Sequence, residues 1–199
     1  MADFIGYLDD SGDDGGRHNA VVIAGYLAPQ DAWYRFECGW RAALQKLQVP
    51  YFHMKEIAKP TGCLAKFSGK QNEPARSAFF QDLIQVIKDA GLTGVGALVR
   101  LPDLRDFNTE KSLHLEAMPL ALYGCMAELY SVHRDETIEL VLDRFDKAPR
   151  AVEVATEYAR SHWSDDASQN IRFTFLQQGF SVGLPLTVRL WHFVRCSSH

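Results

Sequence analysis

Two adjacent aspartates, Asp9 and Asp10, stand at the end of the apolar run Phe4-Ile5-Gly6-Tyr7-Leu8, and a turn of Ser11, Gly12 and Asp13 follows them. Carboxylates are hard oxygen donors, and hard divalent cations need oxygen that is rigidly placed. A strand end supplies that rigidity, and an apolar run that stops on acids is how a buried strand reads when it delivers carboxylates to the edge of a sheet. Side chains alternate along a strand, so Asp9 and Asp10 face opposite ways. Asp9 is the candidate for a central site, because Leu8 and Asp10 share the other face. The same residues, from Asp9 to Gly16, also read as a solvated hairpin turn, since Asp and Gly are common turn formers. A second β-rich run, Thr137-Ile138-Glu139-Leu140-Val141-Leu142, ends on Asp143 and Arg144. If the two runs are neighbours in one sheet, Asp9 and Asp143 converge and can grip one cation.

Another pair of polar groups lies in Phe52-His53-Met54-Lys55-Glu56. On a helix, His53 and Glu56 share a face and can look into one cleft; a structural histidine beside a capping glutamate is the competing reading. Residues 59–69, rich in Pro, Gly, Lys and Ser, read as an exposed loop. Lys55, Lys59, Lys66, Lys70 and Arg76 gather in sequence around it, either to contact phosphates or simply as a solvated face.

The elements that must hold these groups follow from periodicity. Asn19 to Leu27 is a second β-rich run, close enough to the first to pair antiparallel with it, and Pro29 closes it. Trp33, Phe36, Trp40, Ala43, Leu44 and Leu47 recur at helical spacing and predict a helix over 30–47 whose aromatics pack inward. A second amphipathic helix spans 73–90 with Gly91 placed to end it. Thr93 to Arg100 reads as a strand, and Pro102 to Lys111 as irregular or briefly helical. A long helix, apolar nearly all round, is expected over 114–133 and belongs behind the sheet. A helix over 150–162 and a last strand, Ile171 to Leu176, complete a mixed α/β pattern of about five strands with helices inserted between them.

The chain of 199 residues suits one domain with a substantial core. Its hydrophobic fraction of 47% and charged fraction of 23% set aside disordered and fibrous classes. A net charge of -4 does not advertise nucleic-acid binding, although a local basic face can work on an acidic protein. Cys38, Cys63, Cys125 and Cys196 lack paired metal-type spacing and read as reduced thiols of a cytoplasmic protein. No apolar run approaches the ~20 residues of a membrane span, and the acidic N-terminus does not read as a signal peptide.

Three segments, Tyr7-Leu8-Asp9-Asp10-Ser11-Gly12, Phe52-His53-Met54-Lys55-Glu56 and Leu142-Asp143-Arg144, resemble in order and spacing the family called domain of unknown function 3800, whose members are similar in fold to the ribonuclease H-like superfamily. The resemblance spans nearly the whole chain. It implies a ribonuclease H-like mixed sheet of about five strands flanked by helices, as a single domain over 1–199. By the same resemblance Asp9 is the first-strand acid, Asp10 stands where the family has Glu, Asp143 is the fourth-strand acid, and His53 and Glu56 match further polar positions near the cleft. In ribonuclease H-like enzymes such carboxylates hold divalent metals; Mg2+ is the expected ion, with Mn2+ as its usual substitute.

The C-terminus departs from the family. Where members show a Leu-Gln-x-Ala-Asp segment, Gly183-Leu184-Pro185-Leu186 is followed here by Thr187-Val188-Arg189-Leu190. Leu190 takes the place of a candidate third acid ligand and cannot bind a metal. The tail, 187–199, reads as atypical and out of register with its family, as a reading-frame change in the gene would produce. Asp146, Asp165 and Asp166 are the acids left to compensate, and nothing in the sequence positions them.

Three functional readings follow. One is a divalent-metal-dependent nuclease, with Asp9 and Asp143 as ligands and Asp10, His53 and Glu56 in support. Another is a non-catalytic ribonuclease H-like domain that binds nucleic acid or protein. The third is a metal-dependent hydrolase of small phosphate compounds.

Overall fold

The computed structural model describes residues 2–11, 19–52, 62–143, 148–163 and 170–176. Its elements in chain order are strand β1 (Phe4–Ser11), strand β2 (Ala20–Ala28), helix α1 (Gln30–Lys46), helix α2 (Glu73–Ala90), strand β3 (Thr93–Arg100), helix α3 (Leu101–Lys111), helix α4 (Ala117–Val132), strand β4 (Ile138–Asp143), helix α5 (Ala148–His162) and strand β5 (Ile171–Leu176). Two short 3-10 turns, Gly62–Phe67 and Lys70–Asn72, precede α2. The described residues fall into two compact units, one within 1–27 and 94–179, the other within 28–93.

The first unit holds a five-stranded sheet in the order β3-β2-β1-β4-β5. β4 runs parallel to both β1 and β5, with Phe4 opposite Ile138, Leu8 opposite Leu142 and Ile138 opposite Ile171. On the other side the strands alternate in direction: Gly94 stands by Tyr26 and Gly96 by Ala24, while Gly6 lies by Leu27 and Gly25 against Tyr7 and Leu8. The sheet is therefore mixed, and the expected antiparallel pairing of the first two β-rich runs holds. Parallel neighbours cannot be joined by a tight hairpin, and α5 is the helix in the connection from β4 to β5.

Helix α4 buries Ala117, Met118, Ala121, Leu122, Cys125, Met126 and Leu129, as its nearly continuous apolar sequence predicts. It lies on β2 and β3: the Cys125 thiol donates to the Ile23 carbonyl at 3.5 Å, and a Cβ added to Gly124 would come within 2.9 Å of Ala97. Helix α5 turns a stripe of Ala148, Ala151, Ala155 and Ala159 inward, small side chains that admit α4 closely. Just past α5, Trp163 stacks on both Tyr123 and Tyr130, with ring centroids at 5.6 and 4.8 Å. Because those tyrosines are seven residues apart, two turns of one helix, the indole fills the space between them.

At the opposite end of the sheet from Asp9, the Asp3 carboxylate accepts hydrogen bonds from the Thr137 N–H and hydroxyl, both at 2.8 Å. The Thr137 backbone donor and then its hydroxyl hold the Asp3 carboxyl below its ordinary 3.8. A depressed acid stabilises the fold above its unfolded value and loses that contribution as pH falls through the folded one. Asp3→Ala is therefore expected to lower the urea midpoint at neutral pH, and the gap from the wild type should narrow as the pH drops below 3.8. A gap that stays constant from pH 7 to pH 3 would show that the carboxylate charge is irrelevant.

In the second unit the helical stripe of α1 buries Trp33, Phe36, Trp40, Ala43 and Leu44. Edge-on contacts continue from Trp40 to Phe52 and from Phe52 to Phe79, and Phe67 stacks on Phe79 at 5.4 Å. Gly91 ends α2 in the left-handed region at φ 77°, its N–H turned back to the Ile87 and Lys88 carbonyls, a conformation that suits a residue without Cβ.

Three expectations are corrected. Residues 101–111, expected to be irregular or briefly helical, form a full helix of 11 residues. Pro102 sits in its first turn, where the missing N–H costs nothing, but only Leu101 is buried, so no apolar stripe announced it. Helix α4 begins at Ala117, not near His114, because the Asn108 side chain brackets Leu115, donating to its carbonyl at 2.9 Å and accepting its N–H at 3.1 Å. The stretch read as an exposed loop turns Leu64 and Phe67 inward, at 0% and 4% exposure, and its Lys66 ammonium lies over the Phe67 ring.

Candidate functional site

Asp9 is the one buried polar or charged side chain among the described residues, at 3% exposure. A carboxylate taken out of water is costly unless something near it compensates. The Asp10 N–H donates to Asp9 Oδ1 at 2.9 Å, which orients the carboxylate at the strand end. Asp10 itself is half-buried, on the face it shares with the fully buried Leu8. The two acids thus part as strand alternation requires.

The ladder between β1 and β4 runs Tyr7 to Val141 and Leu8 to Leu142; continued by one position, it would set Asp143 beside Asp9. Asp143 is the last residue of β4; its side chain, like all of His53, Glu56, Asp146, Asp165, Asp166 and the tail 187–199, lies outside the described residues. Among the described residues no group of three or more His, Cys, Asp or Glu is placed to hold a metal ion.

The topology marks the same spot without reference to side chains. After β1 the chain moves to β2 on one side, and after β4 it moves to β5 on the other. Where two parallel neighbours send the chain off in opposite directions, open α/β sheets usually bind their ligands outside the carboxyl ends of those strands. β1 and β4 end on that side of the sheet, with Asp9 near the end of β1 and Asp143 the last residue of β4. Sequence reasoning had no access to this switch point, because strand order is invisible to periodicity.

Cys125 is a nucleophile by type only. Burial pushes its thiol up to about 12, and the thiolate that would react is scarce. In the native protein, exposed Cys38 and half-buried Cys63 should be alkylated by iodoacetamide while Cys125 reacts only after unfolding. Mass spectrometry of tryptic peptides checks this; native-state labelling of Cys125 as fast as Cys38 would show that α4 opens readily from the sheet.

No described helix is long and apolar enough to cross a membrane. No protein-family model matches the chain, and no curated protein is significantly similar to it.

Proposed function

We propose that the chain is a divalent-metal-dependent nuclease with a ribonuclease H-like sheet, related to the family called domain of unknown function 3800 and working in the cytoplasm. The observation that supports this reading is that β1 and β4 are parallel neighbours paired as far as Leu8 and Leu142, one position short of the buried Asp9 and of Asp143. Two carboxylates there offer hard oxygen and two negative charges, a donor set that suits Mg2+ or Mn2+ and not a soft metal. When bound, such ions would supply activation of water and stabilisation of the leaving oxygen of a phosphodiester.

The protein's part is to place the donors and keep them there. Asp9 and Asp143 would hold the metal. The Asp10 N–H fixes the Asp9 carboxylate, and in this reading Asp10, His53 and Glu56 support the cleft around it. With Leu190 where the resemblance calls for a third acid, metal affinity should be weak and catalysis slow.

Calorimetry with Mg2+ and Mn2+, and degradation of labelled single-stranded and duplex DNA and RNA, test the proposal. Binding and cleavage should both disappear in Asp9→Asn and Asp143→Asn. Metal binding with hydrolysis of small phosphodiesters alone would move the assignment to a small-molecule hydrolase. No binding at millimolar metal would leave a non-catalytic domain that binds nucleic acid or protein.

A further inference from the structure

Among the described residues strand β3 is an edge of the sheet, hydrogen-bonded on one side only, to β2. An edge strand presents a row of unpaired backbone donors and acceptors, and proteins normally blunt it with Lys, Pro, a bulge or a very short strand. β3 carries no Lys and no Pro and is eight residues long, Thr93-Gly94-Val95-Gly96-Ala97-Leu98-Val99-Arg100. Its only charge is at the end, where Arg100 pairs with Asp103 at 3.2 Å. The other edge, β5, is different, since it exposes Arg172.

Alternation divides β3 into two faces. Val95 is buried, and Ala97 packs against Gly124 of α4. Gly94, Gly96, Leu98 and Arg100 are all exposed, and Leu98 is left 58% open. On that open face the first two residues have no side chain and the last two have large ones.

We propose that β3 is the contact between two copies of this chain, paired antiparallel about a two-fold axis through Ala97. In that register Leu98 of one copy lies over Gly96 of the other, and Arg100 lies over Gly94. On the covered face Val95 meets Val99. Each large side chain on the open face meets a glycine, so the strand is complementary to itself, the property a two-fold interface requires. A foreign peptide would have no reason to match that order of small and large residues. The join would extend two five-stranded sheets into one, by backbone hydrogen bonds along β3 and cross-strand packing of Leu98.

Analytical ultracentrifugation of the full chain from about 5 to about 200 µM should show a species of twice the 22.4 kDa chain mass that grows with concentration. Leu98→Lys, at an exposed position where the fold tolerates charge, should be monomeric across the range with unchanged circular dichroism. Leu98→Met should still dimerise. A wild type that remains monomeric at the highest concentration overturns the proposal, and so does a Leu98→Lys variant that dimerises as the wild type does.

Discussion

Asp9→Asn should abolish stabilisation by Mg2+. A metal that binds only the folded chain, present at 100 times its Kd, adds about 2.7 kcal/mol. For a chain of this length that raises Tm by roughly 5–10 °C. Asparagine keeps an oxygen to accept the Asp10 N–H, now 2.9 Å from Asp9 Oδ1, but it brings no charge for the cation. The Mg2+-dependent shift of the variant should vanish and its cleavage should fall by at least about 100-fold. Differential scanning fluorimetry with and without metal reads this directly. If the variant is destabilised without metal yet keeps the full metal shift, Asp9 is a structural carboxylate and the proposed centre is lost.

The second large effect concerns backbone. A Cβ on Gly25 would stand 1.8 Å from the Tyr7 carbonyl oxygen, 2.8 Å from its carbon and 3.0 Å from the Leu8 Cα. All three are main-chain atoms, so no side-chain rotation relieves the clash, and β1 must move away from β2. Gly25→Ala is expected to cost about 3 kcal/mol or more, the upper end of what overpacking does. Gly94→Ala makes the control, because its Cβ meets only the Tyr26 ring, at 4.0 Å; that change should stay within about 0.5 kcal/mol. Urea unfolding measures both. Since Tyr7 and Leu8 lead straight into Asp9, any Gly25→Ala protein that still folds should also lose part of its metal response. Equal midpoints for the two variants would mean that the β1–β2 approach is looser than the distances state.

Much of the fold was legible because its elements repeat on a short period. The stripe Trp33, Phe36, Trp40 and Ala43 is local, and α1 buries those residues. Gly91 was recognisable as a helix end for the same reason, since a left-handed residue is chosen where it stands. The extent of helix α3 was not legible, because only Leu101 in it is buried and a mostly exposed helix has no apolar period to detect. The start of α4 was misplaced because Asn108 and Leu115 settle it by hydrogen bonds between two elements.

The candidate site divides along the same line. From the amino-acid order alone, Asp9, Asp10 and Asp143 were acids at the ends of apolar runs, and alternation alone set Asp9 and Asp10 on opposite faces. That Asp9 is buried, that β1 and β4 are parallel neighbours, and that their connections diverge are properties of the folded sheet. Asp9 and Asp143 are as far apart in sequence as Asp3 and Thr137, which the chain joins across 134 positions. Local propensity acts over a turn or a strand, whereas strand order and register are set when β1 and β4 bury Leu8, Leu140 and Leu142 together, a choice that only packing of the whole sheet can make.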